Sequence, residues 1–252
     1  MDLVKGKVAI VTGGGRGIGR GVVLALAKEG AKVAIAEYDP DTGISTANEV
    51  KELGAEAISV QCDVTKRDQV NKAVEETIKA FGTVDILVNV AQACTQKSLE
   101  EHTDADFDLA LKSGLYGTFY FMQAVFPYMK EKNYGKIINF ASDAGLVGMI
   151  NQAAYASTKE AVRALTKNAA NEWGVYGIRC NVLCPLSMTP GVAQWKEHFP
   201  DQYNEVTNKV PLRYWGDSEK DIGPLVVFLA SNMSDYMTKQ TIAIDGGSAV
   251  VR

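Results

Sequence analysis

The sequence is poor in the residues that mark several large classes of protein. Its four cysteines, Cys62, Cys94, Cys180 and Cys184, are too few and too scattered over 252 residues to form a disulfide framework. With only two histidines in the chain, no Cys/His set of ligand spacing is completed, and no metal site is expected. Lysine and arginine (26) do not outnumber aspartate and glutamate (30), and a formal net charge of -4 leaves no basic footprint for nucleic acid. No apolar run reaches the roughly 18 residues needed to cross a membrane. The segment Met1–Lys7 runs into a strand-like stretch without a signal-peptide core. These absences predict a cytoplasmic chain with neither nucleic-acid nor membrane partners.

The composition that remains, 46% hydrophobic and 22% charged, is that of a folded globular chain. No internal repeat or linker divides it, so residues 1–252 are read as a single domain. Val8-Ala9-Ile10-Val11 is an apolar run suited to a buried parallel strand. It runs straight into a glycine turn containing Gly13, Gly15, Arg16, Gly17, Ile18 and Gly19, after which apolar residues recur at helical spacing up to Gly30. Strand, glycine turn and helix together form a phosphate cradle, because glycines allow close backbone approach and a helix N-terminus offers free N–H groups. Glu37 ends the second strand, about 20 residues beyond the glycines, where a carboxylate binds ribose hydroxyls. It would repel a 2′-phosphate, so NAD is expected over NADP, with Arg16 the one dissenting charge.

Strands at 57–62, 85–91, 135–141, 178–183 and 241–245 alternate with helical patterns at 44–53, 70–81, 107–121, 152–174 and 221–229. Such alternation predicts an α/β fold: a doubly wound parallel sheet of about seven strands with helices on both faces. Ligands bind such sheets beyond the carboxyl ends of the strands. Asp63, Val64, Asn89 and Ala91 fall there, placed for adenine and ribose contacts.

The stretch richest in chemistry is Tyr155-Ala156-Ser157-Thr158-Lys159, with Ser142 thirteen residues upstream. On a helix, positions i and i+4 share a face, which brings the Tyr155 phenol near the Lys159 ammonium. A nearby cation favours the phenolate, and such a phenol can exchange a proton with an alcohol or carbonyl oxygen.

Together, Thr12-Gly13-Gly14-Gly15-Arg16-Gly17-Ile18-Gly19, Cys62-Asp63-Val64, Asn89-Val90-Ala91, Ser142, Tyr155-x-x-x-Lys159, Gly177–Val182 and Ile244-Asp245-Gly246-Gly247 resemble the short-chain dehydrogenase/reductases over nearly the whole chain. The resemblance implies a Rossmann fold and a nicotinamide cofactor. It also implies Tyr155 as acid/base, Lys159 holding the cofactor ribose and lowering the tyrosine pKa, and Ser142 polarising the substrate oxygen. Pro185 and Thr189 would touch the nicotinamide or pyrophosphate, and a homotetramer would be the assembly.

Three departures lie close to this chemistry. The family's Asn-Asn-Ala-Gly is Asn89-Val90-Ala91-Gln92, its Pro-Gly is Pro185-Leu186, and its helical Asn before Leu115 is Gly114. The insert around 186–215, with Trp195, His198, Phe199, Tyr203, Tyr214 and Trp215, reads either as an irregular surface segment or as a substrate lid. Met149, Gln152, Gln92 and Cys94 are candidates to line a substrate pocket.

The activity expected is hydride transfer between NAD(H) and a small-molecule secondary alcohol or ketone, hydrophobic or cyclic. The alternative is an NAD(H)-binding protein with weak or lost catalysis, in a sensing or assembly role. An acyl-carrier-linked ketoacyl reductase fits less well, since it would call for NADP and a basic docking face.

Overall fold

In the computed structural model, residues 2–249 are described; the expected apolar tail at Val250 and Val251 lies outside them. Seven strands, β1 (Val8–Thr12), β2 (Lys32–Glu37), β3 (Ala57–Gln61), β4 (Ile86–Asn89), β5 (Gly135–Phe140), β6 (Ile178–Pro185) and β7 (Thr241–Ile244), form one parallel sheet in the order β3-β2-β1-β4-β5-β6-β7. The central strands are apolar on both faces because both faces are covered.

Alternation along each strand sorts the core into two layers. Ala9, Val11, Val33, Ile35, Ile86 and Val88 point to one side, where α1 (Gly17–Lys28), α2 (Pro40–Glu52) and α10 (Gly223–Ala230) lay down Val22, Leu26, Val50, Val226 and Leu229. Ile10, Ala34, Ala36, Leu87 and Ile137 point to the other. There α3 (Arg67–Phe81), α5 (Gly117–Glu131) and α7 (Ala153–Trp173) bury Val74, Phe121, Met122, Val125 and Ala169.

The helix expected over 107–121 is longer and less regular than its pattern predicts. Helix α4 (Asp104–Ala110) opens on a Thr103–Asp106 capping box and continues into α5 through one π-helical turn, Leu111–Tyr116. Gly114 lies within that turn, buried. The insert is likewise ordered into two short helices. Thr189 caps α8 (Pro190–His198), and α9 (Pro200–Thr207) follows at once. Trp195, Tyr203 and Trp215 pack edge-on and stacked, with ring centroids 5.6–6.1 Å apart. Trp215 Nε1 donates to Thr207 Oγ1 at 3.0 Å, so the insert carries a small aromatic core of its own. A short helix α6 (Ala144–Val147) lies between β5 and α7. Among the described residues no helix is long and apolar enough to cross a membrane, and no metal-binding cluster forms.

The strand order reverses between β1 and β4, and the crevice at such a switch point is where doubly wound sheets bind ligands. Thr12, Asn89 and Asn139 stand in one register row across β1, β4 and β5, which brings the loops that follow to a common rim.

Candidate active site

At the rim of β1 the glycine turn is held open by close backbone approach. Gly13 has φ +65°, and a Cβ there would come within 3.0 Å of Ala91 Cα. A Cβ on Gly19 would fall on the Gly13 carbonyl, with the carbonyl carbon 2.7 Å away. A Cβ on Gly15 would meet Thr42 Oγ1 at 2.5 Å and Glu37 Oε2 at 2.9 Å. Such a cradle, followed directly by the N-terminus of α1, fits a dinucleotide pyrophosphate. Thr12 Oγ1, at a position to which the sequence pattern assigns no role of its own, accepts from Val90 N (3.0 Å) and Ala91 N (3.1 Å) and ties the rims of β1 and β4 together. Its position at the last residue of the strand was the available signal.

Glu37 is buried at the end of β2. Its carboxylate accepts from Gly15 N (2.9 Å), Tyr38 N (2.8 Å) and Asp39 N (3.3 Å), so it braces the glycine turn as well as facing the rim. Arg16 is exposed and, with Asp63, Gln61, Tyr38 and Lys72, lines a cleft of about 1550 Å³ beyond β2 and β3. Asp63 Oδ1 is taken by Thr65 N and Oγ1, and Val64 is buried against Gly117. Ile18 is half-buried in the first turn of α1, packed against the core below the cradle.

Two residues expected at the cofactor are placed differently from one another. The Asn89 side chain is turned inward: its Nδ2 donates to Asn139 Oδ1 at 2.8 Å, and Asn139 in turn donates to Thr166 Oγ1. It braces β4 on β5 and does not face the rim. Thr189, in contrast, is carried to the cradle. Its Cβ lies 3.7 Å from where a Gly17 Cβ would be, so the root of the insert sits on the first residue of α1, with Pro185 at the end of β6 behind it.

At the rim of β5, Ser142 Oγ accepts from Ala144 N at 3.1 Å and meets Asp143 Oδ1 at 3.2 Å, the local bonds of a loop serine. The same hydroxyl lies beside Tyr155 and acts on its ionisation. Lys159 is buried, with Nζ 5.5 Å from the Tyr155 ring centroid. Its ammonium donates to Phe140 O at 2.9 Å, a main-chain acceptor no sequence pattern announces. Ser142, Tyr155 and Lys159 thus converge, but their electrostatics differ from the simple expectation of a lowered phenol. Burial pushes the Tyr155 hydroxyl up to about 12, with Ser142 opposing the rise. Burial also brings Lys159 down to about 8, with the Cys94 and Cys184 thiols opposing that fall. Burial is the largest influence on both groups, since it disfavours the phenolate and the ammonium alike.

Loop residues next to these groups are apolar and open: Val147, Met149 and Ile150 are 62%, 41% and 83% exposed. Asn151 O accepts from Lys97 N, which ties this loop to the one carrying Gln92 and Cys94. His198 is exposed and its ring nitrogen meets Gln194 O.

The chain is similar to known proteins over almost its full length. A family model described as enoyl-(acyl carrier protein) reductase matches residues 13–249. A 12α-hydroxysteroid dehydrogenase of a Clostridium species is 41% identical, covering 98% of both chains. A 3-oxoacyl-acyl-carrier-protein reductase of Staphylococcus epidermidis is 36% identical, covering 96% of this chain and 98% of its own. Among solved structures, NAD+-bound xylitol dehydrogenase superposes with a TM-score of 0.90 at 34% identity, covering 96% of this chain and 99% of that one. With the parallel sheet, the glycine cradle and these relatives in place, the chain belongs to the short-chain dehydrogenase/reductase family, an oxidoreductase on that family's nucleotide-binding Rossmann fold.

Proposed function

We propose that the protein is an NAD-dependent dehydrogenase, or carbonyl reductase in the reverse direction, acting on a hydrophobic or cyclic secondary alcohol. The observation that carries this reading is the convergence of Ser142, Tyr155 and Lys159 at the rim of β5, beside the crevice that faces the glycine cradle. When bound, a nicotinamide cofactor supplies the hydride acceptor or donor. The Tyr155 hydroxyl gives a proton to the carbonyl oxygen in reduction and takes it from the alcohol in oxidation. Ser142 Oγ holds that same oxygen, and Lys159 provides ammonium N–H groups for the ribose and positive charge beside the phenol. A phenol held at about 12 is protonated at neutral pH and so is ready to act as the acid.

Preference for NAD is supported by the Glu37 carboxylate at the end of β2, which would face a 2′-phosphate with like charge. The exposed apolar run Val147, Met149 and Ile150 beside the site supports a hydrophobic substrate, and the relative at 41% identity is named for a hydroxysteroid. We read residues 1–252 as one domain whose insert, 186–215, covers the substrate, and the assembly as a homotetramer.

The test is initial-rate absorbance at 340 nm with NAD and then NADP, over secondary alcohols that include hydroxysteroids and cyclic diols. Turnover with NAD on apolar or cyclic alcohols is the expected result. Tight NADH binding without turnover on any alcohol or ketone would overturn the catalytic reading. Turnover only with NADPH and 3-ketoacyl thioesters would move the protein to the acyl-carrier class.

A further inference from the structure

The loop after β4 carries a carboxamide with an acceptor to spare. Gln92 Nε2 donates to Ala110 O (3.2 Å) and Ala93 O (3.1 Å), which pins the amide at the start of the π-turn. Its Oε1 is buried and meets no donor among the described residues. Native structures seldom keep a buried carbonyl unpaired without a use for it. The seat exists because residue 114 is glycine. A Cβ there would fall on Gln92 Oε1 and lie 2.5 Å from Thr158 Cγ2. Thr158 has little freedom to withdraw, since it is fully buried with its hydroxyl on Ala154 O at 2.8 Å. The loop itself is braced: Ala93 N donates to Ser113 Oγ, and Thr95 and Lys97 both bond the Asp106 carboxylate.

The complement is one residue along α7. Lys159 donates to Phe140 O, and its two remaining N–H groups meet no acceptor among the described residues. Cys94, two residues beyond Gln92, and Lys159 act on each other's ionisation, which sets this loop against the ammonium. A spare acceptor and spare donors therefore sit on facing elements around a glycine that admits only the first of them.

We propose that Gln92 is a positioning residue for Lys159: seated in the room Gly114 leaves, its carbonyl oxygen accepts from the Lys159 ammonium through one bridging water. This rests on the catalytic reading of Lys159 given above. The groups that face Lys159 are Tyr155 on its own helix, Cys94 from the loop and Cys184 from β6. The protein packed around the two thiols holds both above their ordinary range, Cys184 at about 11, and Tyr155 is near 12. Lys159 is therefore the one group of this cluster that titrates close to pH 8.

Three variants separate positioning from packing. Gln92→Met keeps the length and removes the acceptor. Gln92→Glu keeps an acceptor and adds charge. Gly114→Ala expels the amide. The readouts are NADH affinity, kcat against pH, and the thermal midpoint against pH, the last independent of turnover. For Gln92→Met, a midpoint at pH 7 within about 2 °C of the parent is expected together with a kcat about tenfold lower. Gln92→Glu should move the Lys159-linked limb of both pH profiles upward by about one unit, and the shift in the midpoint profile should vanish in a Lys159→Met background. Gly114→Ala should reproduce the Gln92→Met loss in kcat and also lower the midpoint. If Gln92→Met and Gln92→Glu only offset the midpoint and leave both pH profiles unchanged, Gln92 is a space-filler and the proposal fails. If the parent turns nothing over, the catalytic reading fails, while the midpoint profile still decides whether Gln92 and Lys159 are coupled.

Discussion

Gly19 and Gly114 both stand where no side chain fits, yet the obstacles differ in kind. At Gly19 the obstacle is the Gly13 carbonyl, part of a turn whose own φ is +65° and whose main chain is packed on Ala91. At Gly114 it is the end of a glutamine side chain and a threonine methyl. At Gly19 the limit is thus backbone meeting backbone, which no neighbouring substitution can relieve. At Gly114 the limit is side chains, which can be exchanged in pairs. The first arrangement suits a cofactor part whose shape does not vary. The second leaves the room beside Gly114 adjustable.

The comparison can be broken from either side. Removing the Tyr155 hydroxyl with Tyr155→Phe should give the largest effect, a fall in kcat of roughly 10²–10⁴. Cofactor affinity, read by NADH fluorescence, should be nearly unchanged, since the cradle is a separate construction. Gly19→Ala should do the converse. We expect NADH affinity to fall at least about a hundredfold, or the variant to fail to fold, because the new methyl meets a carbonyl with nowhere to move. Near-normal binding by Gly19→Ala would erase the distinction between the two glycines.

A smaller effect concerns burial of Lys159. Its value in the folded chain is about 8, below the 10.5 of the free side chain. Below pH 8 both states are charged and the cost of the buried ammonium is present in full. Between about 8 and 10.5 the unfolded chain holds a proton that the folded chain has shed, so stability contributed by this group rises with pH. Relative to Lys159→Met, the parent should gain up to roughly 3 kcal/mol across that window, measured by denaturant unfolding at fixed pH values. A flat difference would mean that the ammonium is better solvated than its burial implies. Smallest is the cofactor choice. Glu37→Ser should raise the kcat/KM ratio for NADP over NAD about tenfold or more, a change of roughly 1.4 kcal/mol. It should also loosen Gly15, whose N–H the carboxylate accepts.

Much of this molecule is legible in its residues. Alternating apolar strands and helices dictated the doubly wound sheet, since a strand buried on both faces must be apolar throughout, as Val8–Val11 and Ile86–Val88 are. The glycine turn declared itself through its place between strand and helix, and Tyr155 and Lys159 through their i,i+4 spacing. The insert over 186–215 was less legible, because the aromatic contacts that order α8 and α9 join residues as far apart as Trp195 and Trp215 and leave no local period.

What only the tertiary structure decided depends on desolvation and on neighbours far apart in the chain. Asn89 faces inward because Asn139, fifty residues away, offers its carbonyl there. Lys159 is lowered and Tyr155 raised because the protein buries both, an outcome that spacing along a helix cannot reveal. Gly114, taken alone, reads as a missing side chain. Only the fold brings Gln92 across from the loop after β4 into the room that glycine leaves, because occupancy of space is settled by packing and not by sequence separation.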